Sequence, residues 1–425
     1  MEMKKYRLSE ICYLNISSLK SNDAINVILY LDTSSITENI ISGLQSFPKK
    51  DAPSRAQRKV KENTIIFSTV RPNQKHYGII HNPQNNLIVS SGFTTLDIKN
   101  LNEFDPEFVY LTLTQPAIVD YLHTLAQNSV SSYPSINPDD IGNLYLSFPD
   151  FDTQHKIASV LSSLDSKIAL NRRINAKLEQ MAKRLYDYWF VQFDFPNAEG
   201  KPYKSSGGKM VWNEILKREI PEGWEVKPLN SFISSYNSGD WGSDIPSSDQ
   251  TMKVRCIRGA DIIEPSNLPE RFIKNKNINK LLSAWDMVIE VSGGSPTQST
   301  ARSALITPGV LERNGGSVVC SNFCAAFSFK YYQVSSYFSY MWKMFYENDI
   351  MFNYEGKTSG IKNFLTDTFL ANMWLVPPQN YIESFFRKIE TIYAKIDYNI
   401  LELAKLTTLR DKLLPMLMNG QVEVK

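Results

Sequence analysis

The sequence predicts an α+β protein made of two similar mixed α/β domains, each followed by one long helix. Residues 149–195 carry the longest helical pattern of the chain, with apolar or small residues at alternating steps of four and three. The same pattern returns without a gap at an offset of 228 residues, which places Asn399 where the first copy has Asn171. Two copies of one helical module, each ending one half of the chain, indicate an internal duplication with pseudo-two-fold character.

The step pattern is typical of a coiled-coil seam. Residues 157–189 contain neither proline nor glycine, so these 33 residues can form a helix of roughly 50 Å. The predicted seam positions of the first helix are Ile157, Leu161, Leu164, Ile168, Asn171, Asn175, Leu178 and Leu185. Those of the second helix are Phe385, Ile389, Ile392, Ile396, Asn399, Leu403, Leu406 and Leu413. We interpret the seam asparagines as residues that fix the register of the helices, and we favour this role over direct contact with a ligand.

Composition limits the class of protein. A chain of 425 residues with 42% hydrophobic residues can bury two or three cores. Lysine and arginine total 46 against 44 acidic residues, so any surface for nucleic acid must be local. No apolar signal segment opens the sequence and no run of 18 apolar residues occurs, which predicts a cytoplasmic protein without a membrane contact.

The domain boundaries follow from changes in pattern along the chain. Short β-branched runs at 64–70, 77–80 and 87–89 predict strands, and 106–125 predicts two helices broken at Pro116. Strands at 287–291 and 318–329 repeat this plan in the second half. The predicted divisions are a first domain at 1–149, a first helix at 150–195, a linker at 196–222, a second domain at 223–376 and a second helix at 377–425. Residues 191–195 and 421–425 are predicted as strands, and Pro415 is expected to kink or end the second helix.

Motifs for catalysis are absent from the sequence. The tripeptide Gly356-Lys357-Thr358 resembles the end of a phosphate-binding loop. Such a loop also needs a glycine at position 351, where this chain has Met351. Asp165 and Lys167 match the end of a PD…DxK nuclease pattern. That chemistry needs its carboxylates on neighbouring strands, whereas both residues lie in the predicted long helix. Cys320 and Cys324 lie in an apolar run, which favours buried thiols over a zinc site. The chain is therefore predicted to be non-catalytic, with no cofactor and no metal.

Polar, basic and aromatic loop residues are the remaining candidates for chemistry. Asparagine and glutamine can pair with adenine edges, and arginine and lysine can contact guanine or phosphate. The predicted DNA-binding residues are Arg71, Asn73, Gln74, Lys75 and Tyr77 in the first domain and Asn237, Trp241, Arg255, Arg258, Gln298, Arg302, Lys357 and Ser359 in the second. For any single one of them, an ordinary solvated turn is an equal alternative.

Three stretches resemble one known family. They are the Pro149-to-Gln154 spacing that opens the first helix, the run SLDSKIALNRRINAKLEQMAKRLYDYWFVQFDFPN, and the linker GKPYKSSGGKMVWNEILKREIPEGWE. In these stretches the chain is similar to specificity subunits of type I restriction-modification systems. The resemblance covers nearly the whole chain, but it is specific only in the helices and the linker.

That resemblance implies a function and a set of partners. Two target recognition domains would each read one half of a bipartite site in double-stranded DNA, and the two helices would pack as an antiparallel coiled coil that fixes the spacer. Methyltransferase subunits, two of them, would carry the adenine chemistry, and a restriction or translocase subunit would join them. The alternative from another class is a coiled-coil scaffold that joins two protein-binding domains.

Overall fold

The computed structural model describes residues 2–128, 133–293, 295, 297–358 and 361–424, with the backbone only at 357 and 358. The chain forms two compact units. Unit 1 contains residues 1–170 and 404–425, and unit 2 contains residues 171–403. Each long helix contributes one part of its length to each unit. The predicted α+β fold class is confirmed.

Unit 1 contains twelve strands in the part that the structure describes. They are β1 Lys4–Arg7, β2 Cys12–Leu14, β3 Val27–Leu31, β4 Ile36–Thr37, β5 Ile40–Ile41, β6 Gln45–Pro48, β7 Ala56–Lys59, β8 Thr64–Ser68, β9 Tyr77–Ile80, β10 Leu87–Ser90, β11 Phe93–Ile98 and β12 Tyr145–Phe148. One four-stranded sheet has the order β6-β3-β10-β7, and a second has the order β2-β11-β8-β9. Strands β3 and β10 are parallel, whereas the other neighbours in these two sheets are antiparallel.

The helices of unit 1 cover the second sheet. They are α1 Leu8–Ile11, α2 Pro106–Leu113, α3 Pro116–Gln127 and α4 Pro138–Gly142, with 3-10 turns at Thr33–Ser35, Lys49–Asp51 and Pro72–Gln74. The predicted break at Pro116 is confirmed, because α3 begins there with proline at its first position.

The first long helix, α5 Phe151–Tyr186, begins where local side chains satisfy its end. The Asp150 carboxylate accepts hydrogen bonds from the backbone N–H and the hydroxyl of Thr153, at 3.0 and 2.8 Å. These bonds lower the pKa of Asp150. The buried Gln154 amide bonds to the carbonyls of Glu103 and Pro149, at 3.1 and 2.9 Å. The helix start is thereby joined to the globular part of unit 1.

Unit 2 repeats this architecture. Its strands are β13 Met210–Asn213, β14 Arg218–Pro221, β15 Glu225–Pro228, β16 Ile233–Ser238, β17 Gln250–Ile257, β18 Glu270–Lys274, β19 Met287–Glu290, β20 Ser292–Gly293, β21 Ser303–Leu305, β22 Val318–Cys320, β23 Cys324–Phe329, β24 Glu355–Thr358, β25 Ile361–Phe364 and β26 Met373–Val376. Its helices are α6 Pro308–Arg313, α7 Val334–Glu347, α8 Thr366–Leu370 and α9 Gln379–Met418, of which α9 is the second long helix. Shorter turns lie at Asp187–Val191, Leu229–Phe232, Gly259–Asp261, Asn275–Lys280 and Ile350–Tyr354.

The main strand orders of the two units correspond, although β7 in unit 1 and the β13-β14 and β20-β25-β24 sheets in unit 2 have no counterpart among the described residues. The order β16-β23-β19-β21 in unit 2 matches β2-β11-β8-β9 in unit 1. The parallel pair of β17 and β22 matches the parallel pair of β3 and β10. The pair of β15 with β26 matches that of β1 with β12. The duplication inferred from the helices therefore extends through the globular parts, where side-chain identity is low.

The long helices pack antiparallel in each unit. In unit 1, Arg410 Nη1 lies 3.2 Å from Asp165 Oδ1, whereas Leu417 and Met418 join the core that contains Ile157. In unit 2, Asn171 Nδ2 donates to Glu402 at 2.8 Å and Asn399 Nδ2 donates to Asn175 at 2.7 Å. Within both units, higher positions on one helix meet lower positions on the other. All sixteen seam positions predicted from the sequence are buried or half-buried.

The two strands predicted after the long helices were wrong, and the second helix does not end at Pro415. Residues 191–195 form the end of a π-helical turn and an irregular segment, and 421–424 contain no strand. The second helix continues through Pro415 to Met418, and the Asn419 N–H donates to the Pro415 carbonyl at 3.0 Å. Burial of Leu417 and Met418 in the unit 1 core stabilises this last turn against the loss of the proline hydrogen bond. The predicted linker at 196–222 contains the β13–β14 hairpin.

Replacing the polar pair Asn175 and Asn399 by leucines, as Asn175→Leu with Asn399→Leu, should raise the free energy of unfolding by about 1 kcal/mol or more. The reason is that a polar pair at a seam costs stability while it restricts register. Urea denaturation followed by far-ultraviolet circular dichroism measures the effect. As the control, Asn399→Leu alone leaves Asn175 without its partner and should be less stable than the double variant. A double variant less stable than the wild type would contradict the register role.

Candidate nucleic-acid interface

A short exposed loop in unit 1 carries most of the residues predicted there. It runs from the end of β8 to the start of β9, around the 3-10 turn Pro72–Gln74. Arg71 and Lys75 flank this turn in left-handed backbone conformation, with φ of 47° and 56°. The side chains of Asn73 and Gln74 are exposed and form no hydrogen bond with any residue that the structure describes. Their amides can therefore serve as donors and acceptors toward base edges.

The cations of this loop differ in how firmly they are held. The Arg71 guanidinium lies 5.3 Å from the ring centre of Tyr133, and its backbone N–H donates to the Pro134 carbonyl at 2.9 Å. Lys75 Nζ lies 2.6 Å from the Glu38 carboxylate. Both pairs are exposed, where such contacts contribute little to stability. Either cation can exchange its partner for a phosphate at small cost.

Tyr77 belongs to the core of unit 1. It is 6% exposed and its ring stacks on Phe67, with centroids 5.5 Å apart. Burial raises the pKa of its hydroxyl above the ordinary value. The tyrosine therefore supports the loop from beneath, a packing role that the sequence pattern did not distinguish from a DNA contact.

A basic segment that the sequence reasoning missed lies at residues 49–61 of unit 1. It contains six cationic residues against the single carboxylate of Asp51, and it includes the edge strand β7. Lys49 and Lys59 are tied to the loop at Asp23, whereas Lys50 and Arg55 are exposed and have no ion-pair partner among the described residues. The net charge of +2 averages over the whole chain and does not show this cluster. A count of charged residues within a short window of the sequence would have identified it.

In unit 2 the parallel strand pair creates a cleft. Because β17 and β22 run in the same direction, the loops that follow them emerge at the same edge of the sheet, with Ile257 opposite Cys320. The backbone N–H of Ser321 donates to the Ile257 carbonyl at 2.8 Å and closes this edge. The cleft measures about 490 Å³ and is lined by Trp241, Arg258, Gly259, Ser292 and residues 321–323. Two predicted residues, Trp241 and Arg258, meet there.

Polar contacts hold the cleft walls in place. The Arg258 guanidinium makes two hydrogen bonds to the Asp261 carboxylate, at 2.7 and 2.9 Å, which raise the pKa of the guanidinium. The Arg271 guanidinium covers one face of the Trp241 ring at 3.8 Å, and its own Nε donates to the Trp241 carbonyl. The backbone N–H of Trp241 donates to the side-chain oxygen of Asn322 at 2.8 Å. These bonds fix the tryptophan before any ligand arrives.

Arg302 lies beneath the cleft and neutralises a buried carboxylate. Its Nε and Nη2 donate to the two oxygens of Glu290 at 2.9 and 2.7 Å, and Glu290 is 3% exposed. Glycines make room for this carboxylate, because a Cβ at Gly259 or Gly293 would lie 2.8 or 2.6 Å from its Oε1. Arg302 is thus committed to the fold of unit 2, in contrast to the DNA contact that its loop position suggested.

The other predicted residues of unit 2 are dispersed. Arg255 Nη1 donates to the Leu268 carbonyl at 3.0 Å, and its Nη2 lies 3.5 Å from Glu270. Asn237 is half-buried on β16, and Gln298 is exposed in the loop before β21. The backbone at Lys357 belongs to β24, and Ser359 lies outside the described residues.

The cysteines of the chain are buried. Burial raises the pKa of Cys12 and of Cys256 to about 12 and that of Cys324 to about 11. Within the described ranges, no group of three or more histidine, cysteine or acidic side chains is arranged to hold a metal ion. Over the same ranges, no helix is both long enough and apolar enough to cross a membrane.

Comparisons with known proteins bear on the whole chain. Residues 1–180 match the family model described as Type I restriction modification DNA specificity domain. The chain is 24% identical to the type I restriction enzyme HindI specificity subunit of Haemophilus influenzae, over 99% of this chain and all of that protein. It is also 24% identical to the MjaIX specificity subunit of Methanocaldococcus jannaschii, over 91% of this chain and 84% of that protein.

A solved structure shares the fold. The crystal structure of the type I restriction-modification system S subunit from M. genitalium superposes with a TM-score of 0.58 at 15% identity. The superposition covers 98% of this chain and 96% of that one. The likeness therefore extends over both units and both long helices.

The substitution Arg302→Ala should lower the free energy of unfolding by about 3–5 kcal/mol, because it leaves the Glu290 carboxylate buried and unpaired. Urea denaturation followed by tryptophan fluorescence measures the change. The matched control is Lys227→Ala, which removes an exposed pair with Glu225 and should change stability by less than about 1 kcal/mol. A folded Arg302→Ala protein with unchanged stability and weakened DNA binding would instead make Arg302 a DNA contact.

Proposed function

We propose that this chain, which belongs to the DNA specificity subunits of type I restriction-modification systems, reads a bipartite DNA site with one repeat for each half-site. As such a subunit it is a non-catalytic DNA-recognition component, and its complex brings it together with DNA and with methyltransferase and restriction subunits. In the proposal, two methyltransferase subunits join one copy of the chain. The paired long helices set the length of the spacer between the half-sites.

The observation that carries the proposal is a shared framework with different loop chemistry. The register of the parallel pairs makes Leu31 equivalent to Ile257, so that Asp32 in unit 1 takes the place of Arg258 in unit 2. A carboxylate and a guanidinium at equivalent loop positions favour different base edges, because carboxylates accept from cytosine and guanidinium groups donate to guanine. Two copies of one framework can thus read two different sequences.

Phosphate contacts are supported by a different set of residues. The exposed cations Lys50 and Arg55 belong to the basic segment of unit 1 and have no carboxylate partner among the described residues. Cations of this kind position a protein on the DNA backbone without reading sequence. In unit 1 the proposal therefore separates base reading by Asn73 and Gln74 from backbone contacts by residues 49–61.

The roles in unit 1 can be told apart by salt dependence. Lys50→Ala or Arg55→Ala should reduce the slope of log affinity against log salt by about 0.9 each and weaken target and non-target DNA alike. Asn73→Ala should leave the slope unchanged but lose about 1–3 kcal/mol of discrimination at one base pair. Fluorescence anisotropy on the assembled complex measures both.

The control for the salt series is Lys201→Ala, which removes an exposed linker cation paired with Glu199 and should leave the slope unchanged. Methylation mapping in cells that carry the intact system supplies the target sequence. Loss of discrimination in Lys50→Ala, or an unchanged slope in both cation variants, would overturn the division of roles.

Spacer length can be tested by lengthening both helices together. The change adds one heptad to each long helix at the level of the Asn175–Asn399 pair. Seven residues are inserted between Arg173 and Leu178, and seven between Ile396 and Leu403. One heptad extends a helix by about 10 Å, which corresponds to about three base pairs of DNA. Methylation mapping should therefore report a spacer longer by about three base pairs with unchanged half-sites.

The control for this insertion lies in the linker. Seven flexible residues between Gly207 and Gly208, where both neighbours are exposed or half-buried, should leave the spacer unchanged. An assembled and active complex that keeps its original spacer after the paired helix insertion would disprove the ruler.

A further inference from the structure

The cleft at the carboxyl ends of β17 and β22 distinguishes unit 2 from unit 1. Strand register makes Phe93 equivalent to Cys324, so the preceding residues Gly92 and Phe323 occupy the same position. In unit 1, Gly92 packs so closely that an added Cβ would lie 2.9 Å from the methyl group of Thr33. Unit 2 has Gly259 where unit 1 has Thr33. In unit 1 the Thr33 methyl group therefore lies against Gly92, whereas in unit 2 the position of Thr33 is a glycine that lies beside the buried Glu290 carboxylate.

One wall of the cleft is an exposed aromatic ring. The Phe323 side chain is 56% exposed and lines the cleft. Phe323 is the last residue of the three-residue connection between β22 and β23, and the backbone N–H groups of Val291 and Ser292 both donate to its carbonyl, at 2.9 and 3.1 Å. The backbone under the ring is thus fixed, and the ring itself is free on the cleft side.

Polar groups surround the aromatic wall. Asn322 uses its side-chain oxygen to accept from the backbone N–H of Trp241, and its Nδ2 group bonds to no residue that the structure describes. Arg258 contributes a half-exposed guanidinium at the rim, held by Asp261. The Trp241 ring, already covered on one face by Arg271, closes the far side. An apolar slot with one amide donor and a cation at its edge suits a planar, hydrogen-bonding group.

From this arrangement we infer that the cleft of unit 2 holds one unstacked base of the bound DNA, with Phe323 as its stacking surface. The inference rests on the proposed DNA-reading function and extends it to a specific base-binding site. Aromatic rings stack on bases of any sequence, and a base removed from the helix exposes its pairing edge to direct hydrogen bonding. Asn322 Nδ2 and the Arg258 guanidinium at the rim donate to that edge.

A contact with a base that remains in the helix fits the cleft less well. Such a contact would need only the exposed ring of Phe323 and would leave the cleft of about 490 Å³ beside it without an occupant. The matching position in unit 1, where Gly92 carries no side chain, lacks this stacking surface. We therefore expect an unstacked base in one half-site only, the one read by unit 2.

The experiment places 2-aminopurine at each position of both half-sites in turn, leaving out the adenines that are methylated. Emission from 2-aminopurine rises when the base leaves the stack. In the complete complex with its methyltransferase subunits, emission should rise at one position of the unit 2 half-site. Phe323→Ala should abolish the rise and weaken binding about tenfold, the loss of one base–aromatic contact, whereas Phe323→Tyr should retain both.

The matched control is Trp212→Ala, which removes another aromatic side chain, 57% exposed, on strand β13 away from the cleft. It should leave the emission unchanged. Sequence-specific binding without any emission rise would overturn the base site and leave the proposed function intact. So would a rise that persists in Phe323→Ala. Absence of sequence-preferring binding in the wild-type complex would instead overturn the proposed function itself.

Discussion

Each globular core is completed by a helix end that comes from the other half of the sequence. In unit 1, Leu417 and Met418 near the end of the chain lie in one core with Leu161 and Phe148. In unit 2, Trp189 and Phe190 at the end of the first helix pack with Trp224, Tyr337 and Phe385, and ring centroids of Phe190 and Tyr337 are 4.8 Å apart. A fully buried large side chain contributes roughly 1.5–3 kcal/mol. The cores and the helix pairing therefore stabilise one another, and neither half of the sequence contains a complete core.

Polar groups in the seam lower the stability that the buried apolar side chains provide. Asn171, Asn399 and the carboxylate of Glu402 lie between layers of leucine and isoleucine, and each amide donates within the seam. A shift of the helices by one turn would separate these partners and leave them buried without hydrogen bonds. The seam thus gives up some stability in exchange for a single register, and loops at the helix ends keep a fixed position relative to the seam in each unit.

The long helices could be predicted because their signal is local and repeated. Seven-residue periodicity over Ile157 to Leu185, found again with Asn399 in place of Asn171, depends on neighbouring residues alone. The cleft could not be predicted in this way. It depends on parallel pairing between β17 and β22, which brings Arg258 beside Phe323 through contacts that are distant in sequence.

The same distinction explains the errors among individual residues. Tyr77 and Arg302 lie in sequence segments that are typical of surface loops. In the structure Tyr77 packs against Phe67 and Arg302 pairs with Glu290, and both contacts join residues that are not neighbours in sequence. The segments 191–195 and 421–425 resemble strands in their local sequence, but 191–195 and 421–424 pair with no strand among the described residues, and pairing of this kind depends on contacts distant in sequence. Residues 49–61 were missed for a different reason, since a local charge run disappears in the charge total of the whole chain.

The equivalence of Gly92 and Phe323 has a consequence for how such a protein changes over evolutionary time. These residues follow parallel strands whose register is set by backbone hydrogen bonds, so the side chain at this position can vary without altering strand order. The two copies differ at this position by an entire aromatic ring, yet they keep the same order of the surrounding strands. A loop side chain can therefore change in one copy without a change in the framework of the other.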